Sequence, residues 1–298
     1  MRSGTIAASL HHRAGEVAVF GAVRIPVTVE FYLDRFRDIA AFKKGAEVSN
    51  VVRFGDHPVE QTLASLSLEP KETLVLGGCR PGKCGIKLSI AMMNQLRVVR
   101  GFDAVNRAFR KVLREYVAKY IQEGTPAMIS YADRDPATNS SSTFSGILSE
   151  FTWLRDYAPG LADALNGPYR SADGQLEEFF YWSKEDFGLK PVISFTHVFI
   201  YKTLIDGRLW AFIASKQIYA DHYLEGSLGL TVLAAEAADK NTPLLSMAYF
   251  NRSVTDGLRG WFSSISRAIV ERRAREALDR HLAATKQQLA SSYRQHLH

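Results

Sequence analysis

The groups best suited to acid–base or ligand chemistry lie in the second half of the chain: His197, Lys216, the Asp221–His222 pair, and Arg252 with Asp256. His197 sits in the run Val192–Tyr201, where period two puts Ile193, Phe195, Phe199 and Tyr201 on its face. An imidazole in such company is ordinarily a core residue with one satisfied hydrogen bond. It is otherwise the polar handle of a pocket or a metal ligand. Lys216, among Ile213, Ile218 and Tyr219, ordinarily faces solvent; a buried lysine would have a lowered pKa and could act as a base. His222 falls in Tyr219-Ala-Asp-His-Tyr223. Asp221 and His222 are adjacent, so an extended strand would send them to opposite faces, which argues against a dyad. Arg252 and Asp256 are spaced i, i+4, as for an ion pair or for anchoring an acidic group at a helix start. No Gly-x-Ser-x-Gly or His-Glu-x-x-His occurs, and no Cys–His pair has a recognisable spacing. An enzyme using His197, Lys216, His222 and Asp256 is therefore the second reading, with no reaction class assigned. No cofactor and no metal site are read.

The only two cysteines flank a turn: Cys79-Arg-Pro-Gly-Lys-Cys84. A disulfide across Pro81-Gly82 is the preferred reading, and it implies an oxidising compartment. The same stretch, Gly77 to Lys83, matches the phosphate-loop pattern and follows Leu74-Val75-Leu76, but Cys84 stands where Ser or Thr should hold magnesium. A free or metal-binding cysteine pair is a third reading, for which zinc would need further ligands.

These residues must be positioned by strands and one long helix. Val192–Tyr201 and Leu209–Tyr219 read as strands joined by Asp206-Gly207, a type I′ hairpin signal. Leu228–Ala234 and Leu244–Phe250 extend them into an antiparallel meander, with Asn241-Thr242-Pro243 as the turn between them. A helix is expected from Ser253 and Val254 onward, carrying Leu258, Trp261, Ile265, Leu278, Leu282 and Leu289, with Gly257 and Gly260 near its start. Upstream, Glu16–Val27 reads as a strand. Thr28 caps a helix to Lys44 with Gly45 at its end, and Val48–Phe54 is a short strand. Phe102 to Glu123 has helical periodicity, Asp135–Ser142 reads as a loop, and Pro159-Gly160 interrupts a later helix pair. The expected fold is α+β: an antiparallel sheet curled against a long C-terminal helix. A mainly helical insertion occupies about 101–167 of a single domain, 1–298.

The chain has 298 residues, 46% apolar and 23% charged, ordinary for a protein with a sizeable core. No run approaches the ~20 apolar residues of a membrane span. Residues 1–15 show no apolar signal-peptide segment, so export to the periplasm and a cytoplasmic location both stand as expectations. The net charge is +6, and from Arg259 to Arg294 eight Lys/Arg face three acids. A solvated helix face is the plain reading; the third reading of function is an interaction module that meets an anionic membrane surface or a protein partner through this helix. Aromatic residues are not interleaved with these charges, which argues against nucleic acid.

Strand, proline and helix over 16–54, followed at 191–292 by a meander and a terminal helix, resemble the helix-grip plan of START-type lipid-transfer proteins. That resemblance implies an apolar ligand held between sheet and helix. Four strings resemble a second group more specifically: Cys79-Arg-Pro-Gly-Lys-Cys84, Tyr181-Trp-Ser-Lys184, Tyr219-Ala-Asp-His-Tyr223, and Asn251-Arg-Ser253 with Asp256. These are exported bacterial proteins with a CRPGxC motif and no known activity. The likeness implies export and favours the disulfide. The leading expectation is thus binding or transfer of a hydrophobic or amphipathic, lipid-like small molecule. Its pocket would be lined by Phe195, His197, Phe199, Tyr219, His222, Tyr249, Arg252 and Trp261.

Overall fold

Strands buried on both faces read as nearly continuous apolar runs rather than as clean alternation. Val192–Tyr201 is such a run, and the fold covers its sheet on both sides. The computed structural model describes residues 6–9, 15–45, 47–55, 59–167, 176–186, 190–236, 243–256 and 263–297, leaving aside the side chains of 6–9, 59–60 and 263–271. In chain order the elements are β1 (Ile6–Ser9), β2 (Glu16–Ile25), α1 (Val29–Arg37), α2 (Ile39–Phe42) and β3 (Val48–Arg53). The helical stretch α3 (Val59–Thr62), α4 (Pro70–Val75), α5 (Ile90–Leu96) and α6 (Phe102–Glu123) comes next. The short strands β4 (Ser130–Tyr131) and β5 (Thr138–Asn139) lead to α7 (Ser140–Leu148), α8 (Leu154–Tyr157) and α9 (Pro159–Asn166). The chain closes with β6 (Leu176–Glu185), β7 (Val192–Ile205), β8 (Arg208–Ala220), β9 (Leu224–Ala235), β10 (Leu245–Thr255) and α10 (Ser263–His296).

Eight strands form one antiparallel sheet in the order β1-β2-β10-β9-β8-β7-β6-β3. The β7–β8 hairpin turns at Asp206-Gly207, both at positive φ (50° and 71°), as a type I′ turn requires. On one face Val23, Ile25, Val198, Ile200, Ile213, Leu233 and Leu245 pack with α1 and with Leu278, Leu282 and Leu289 of α10. On the other face Phe195, Phe199, Phe212, Ala214 and Leu228 pack with the helical segment that runs from α3 to α9. The fold is thus α+β in three layers: helix, sheet, helices.

Several expectations are corrected. The helix after Thr28 is two helices, because Asp38 leaves helical geometry and its carboxylate caps α2 by accepting from Ala41 N–H. Leu74 and Val75 lie in a helix, not in a strand entering a phosphate loop, and Lys83 forms β-bridges with Arg80 and Arg134 rather than starting a helix. β6 was unforeseen, yet it pairs with β7 over ten residues and carries the buried Trp182. Ser253 and Val254 belong to β10, paired with β2 and β9, so the long helix begins later. The loop expected at Asp135–Ser142 already contains β5 and the first turn of α7, capped by Asn139. Gly257, Leu258, Gly260, Trp261 and the turn residues Asn241-Thr242 lie outside the described residues.

Cys79 and Cys84 form a disulfide. Gly82, at φ 77°, turns the loop between them, and Gly82 N–H and Cys84 N–H donate to Ala132 and Asp133 carbonyls. Protein denatured without reductant should therefore show no reactive thiol. Reduction should cost about 2 kcal/mol, as expected for closing so short a loop. Two thiols in oxidatively purified protein would contradict the bond.

Candidate functional site

The sheet separates the residues expected to line one pocket. His197 is buried on the face of the helical segment, away from α10. Register explains it: Phe180, His197 and Lys216 are cross-strand neighbours on β6, β7 and β8. The imidazole stacks on Phe180 at 4.0 Å and meets Phe199 at 3.8 Å. Its Nδ1 is 3.2 Å from the Tyr120 hydroxyl of α6, and its Nε2 is 2.7 Å from Glu178 Oε2. Burial holds the imidazole pKa well below its ordinary value, with the nearby Lys216 charge acting in the same direction. Burial alone lifts the part-exposed Glu178 carboxyl to about 7. The position between sheet and terminal helix expected for His197 is thus not the one it occupies; that face is filled by aromatic side chains.

Lys216, expected at the surface, is 1% exposed. Its Nζ donates to Thr125 Oγ1 (2.5 Å) and to the Leu165 carbonyl (3.2 Å), and lies 4.2 Å from the Phe144 ring centroid. Among the described residues no carboxylate forms an ion pair with it. Desolvation lowers its pKa to about 7.

His222 belongs elsewhere. Asp221 and His222 sit in the turn after β8, not in extended strand, so adjacency does not force them apart. The His222 Nε2 lies 2.6 Å from Glu72 Oε1 of α4. Arg252 and Asp256 do not pair with each other. Arg252 bonds Glu16 (2.8 Å), with Glu150 at 3.7 Å. Asp256 is 3.2 Å from the buried Lys87 and 3.6 Å from Arg134. The proposed catalytic set therefore divides into His197 with Lys216, His222 with Glu72, and Asp256 with Lys87. The partners Glu178, Tyr120, Glu72 and Lys87 carried no local signal. Tyr120 reads as part of the apolar stripe of α6, and Glu178 lies in the unforeseen β6.

The face beneath α10 is graded. At one end it presents Ile200, Ile213, Leu233 and Leu245. Alternation along the same strands continues this face into Ser183, Ser194, Thr196, Gln217, Ser227, Asn251 and Ser253. Cross-strand hydrogen bonds Ser183–Ser194 (3.2 Å), Ser227–Ser253 (2.7 Å) and Asn251–Ser227 (3.4 Å) join that polar half. Glu185 accepts from Ser183 and pairs with Lys43 at 2.7 Å. Gln217 is buried, and its Oε1 has no hydrogen-bond partner. Tyr249 lies between the halves. Of the eight residues expected to line a pocket, it is the described one packed against the cluster that holds α10. Phe195, Phe199 and Tyr219 face the helical segment, and Trp261 lies outside the described residues.

No protein-family model matches this sequence, and no curated protein does. No described helix is long and apolar enough to cross a membrane.

Proposed function

We propose that this protein binds an amphipathic, lipid-like small molecule between the sheet and α10, its polar end against the Ser183–Gln217–Asn251 half of the sheet. The carrying observation is the graded face: apolar at one end and hydroxyl- and amide-rich at the other, with a buried acceptor left over on Gln217. A buried polar atom without a partner costs roughly 1–3 kcal/mol, which a ligand donor would offset. Element order supports the same reading. Leaving out β1 and the segment from α3 to α9, the chain runs strand, two helices, five more sheet strands after β3, then a long helix, with first and last strands adjacent. That order resembles the helix-grip plan of START-type proteins. The ligand layer is accordingly the Tyr249 face, not the His197 face. Ligand sites of this kind are mostly apolar with a few placed polar groups.

Native mass spectrometry of protein purified from its source should show a retained small molecule. Gln217→Leu should lower its occupancy while leaving thermal stability unchanged or raised, because it removes a buried polar group. Full occupancy in Gln217→Leu, or wild-type protein with neither a bound molecule nor affinity for a fluorescent lysophospholipid, would reject the proposal.

A further inference from the structure

A second centre, on the opposite face from the proposed ligand layer, brings together groups 150 residues apart in sequence. Glu72, Asp221 and His222 each offer one ligand atom, and these atoms lie within 4.8 Å of one another. All three residues are buried; Asp221 is 1% exposed. The two carboxylates are held alike. Glu72 Oε2 accepts from Glu69 N–H at 2.8 Å, which leaves Oε1 toward His222. Asp221 Oδ1 accepts from Ile193 N–H at 2.8 Å, which leaves Oδ2 with no hydrogen-bond partner. Each carboxylate is thus oriented through one oxygen by a backbone donor and has the other to give. Metal sites characteristically orient their ligands through such outer hydrogen bonds.

We propose that Glu72, Asp221 and His222 form a binding site for a divalent transition cation, of which Zn²⁺ is the natural probe. One imidazole nitrogen and two carboxylate oxygens form a donor set that zinc accepts, and three protein ligands leave a position for water. Charge supports the geometry: both carboxylates are buried, and Asp221 Oδ2 has no hydrogen-bond partner. A buried pair of carboxylates with an orphaned oxygen is what a 2+ ion would neutralise. Lys184 and Lys87 stand nearby but are committed elsewhere: Lys184 Nζ bonds Glu69, and Lys87 Nζ lies against Asp256 and Asp133.

The test uses the full chain, stripped with a chelator and titrated with Zn²⁺, with bound metal counted by elemental analysis and melting followed in parallel. One Zn²⁺ per chain with a raised Tm is expected. Asp221→Asn and Glu72→Gln, near-isosteric changes, should each weaken binding by roughly tenfold or more, since even outer-shell changes cost 10–100-fold. The terminal histidines His11, His12, His296 and His298 are a separate possible source of affinity. Zn²⁺ binding that survives unchanged in both variants would assign the ion to them and overturn the site. Absence of binding by wild-type protein at micromolar Zn²⁺ would overturn it equally. If one variant fails to fold, the other decides.

Discussion

Lys216→Met is expected to stabilise the protein, most in mild acid and least in alkali. A lysine that titrates near 10.4 when unfolded titrates at about 7 here, because burial disfavours its charge. Between those values the unfolded chain binds a proton that the folded chain does not, so wild-type stability rises with pH across that window. Below about pH 7 both states carry the proton, and the full cost of the buried charge is present. A shift from 10.5 to about 7 corresponds to roughly 4–5 kcal/mol. Methionine has similar length and no charge. Thr125 Oγ1 already donates to the Leu165 carbonyl, so that acceptor keeps a partner. Urea denaturation at about pH 6 and about pH 10 should show a gain of several kcal/mol at the first and little at the second. A gain independent of pH, or a loss at both, would show that Lys216 is not held in the manner described.

The second large effect concerns the terminal helix. Leu282 is fully buried between α10 and the sheet, in the cluster that includes Val23, Ile25 and Leu33. Leu282→Asp removes burial worth about 1.5–3 kcal/mol and asks the layer to hold an unpaired carboxylate, which costs several kcal/mol more. The cheaper outcome is for α10 to leave the sheet. Amides of 272–296 should then exchange orders of magnitude faster, while β7, β8 and β9 stay protected because the helical segment covers their other face. Ala283→Asp, at an exposed neighbouring position, is the control and should change nothing. Undiminished protection of α10 in Leu282→Asp would mean that Leu282 does not hold the helix. Under the proposed function, release of α10 also empties the ligand layer, so retained ligand in this variant would count against that layer as the site.

Period two made β7 through β10 legible, and the Asp206-Gly207 turn set the register of β7 against β8. Period two also makes clear that Ile193, Phe195, His197, Phe199 and Tyr201 share a face. It cannot say which layer covers that face, because strand alternation has no sign. Here a helical segment inserted between β3 and β6 takes it, and the terminal helix takes the other. The long helix was legible in its leucines, but its start was not. Ser253 and Asp256 have capping chemistry, yet Ser253 is paired on both sides in the sheet, where tertiary hydrogen bonds override a local cap. Lys216 shows the same limit: the surface default for lysine is a statistical preference, and four-carbon stems fit buried strands when acceptors wait at the end.

By itself, the sequence determined strands β7 to β10, the α+β class and the cysteine loop, because each depends on residues within a few positions of one another. Turn chemistry and short-range periodicity are local physics. The tertiary structure alone decided the rest: which face of the sheet meets α10, that Arg252 pairs with Glu16 rather than Asp256, and that Glu72 meets His222 across 150 residues. Those contacts follow from strand order and from the path of the inserted helices. Their energies come from burial and from pairing of groups with no sequence proximity, so no local pattern could record them.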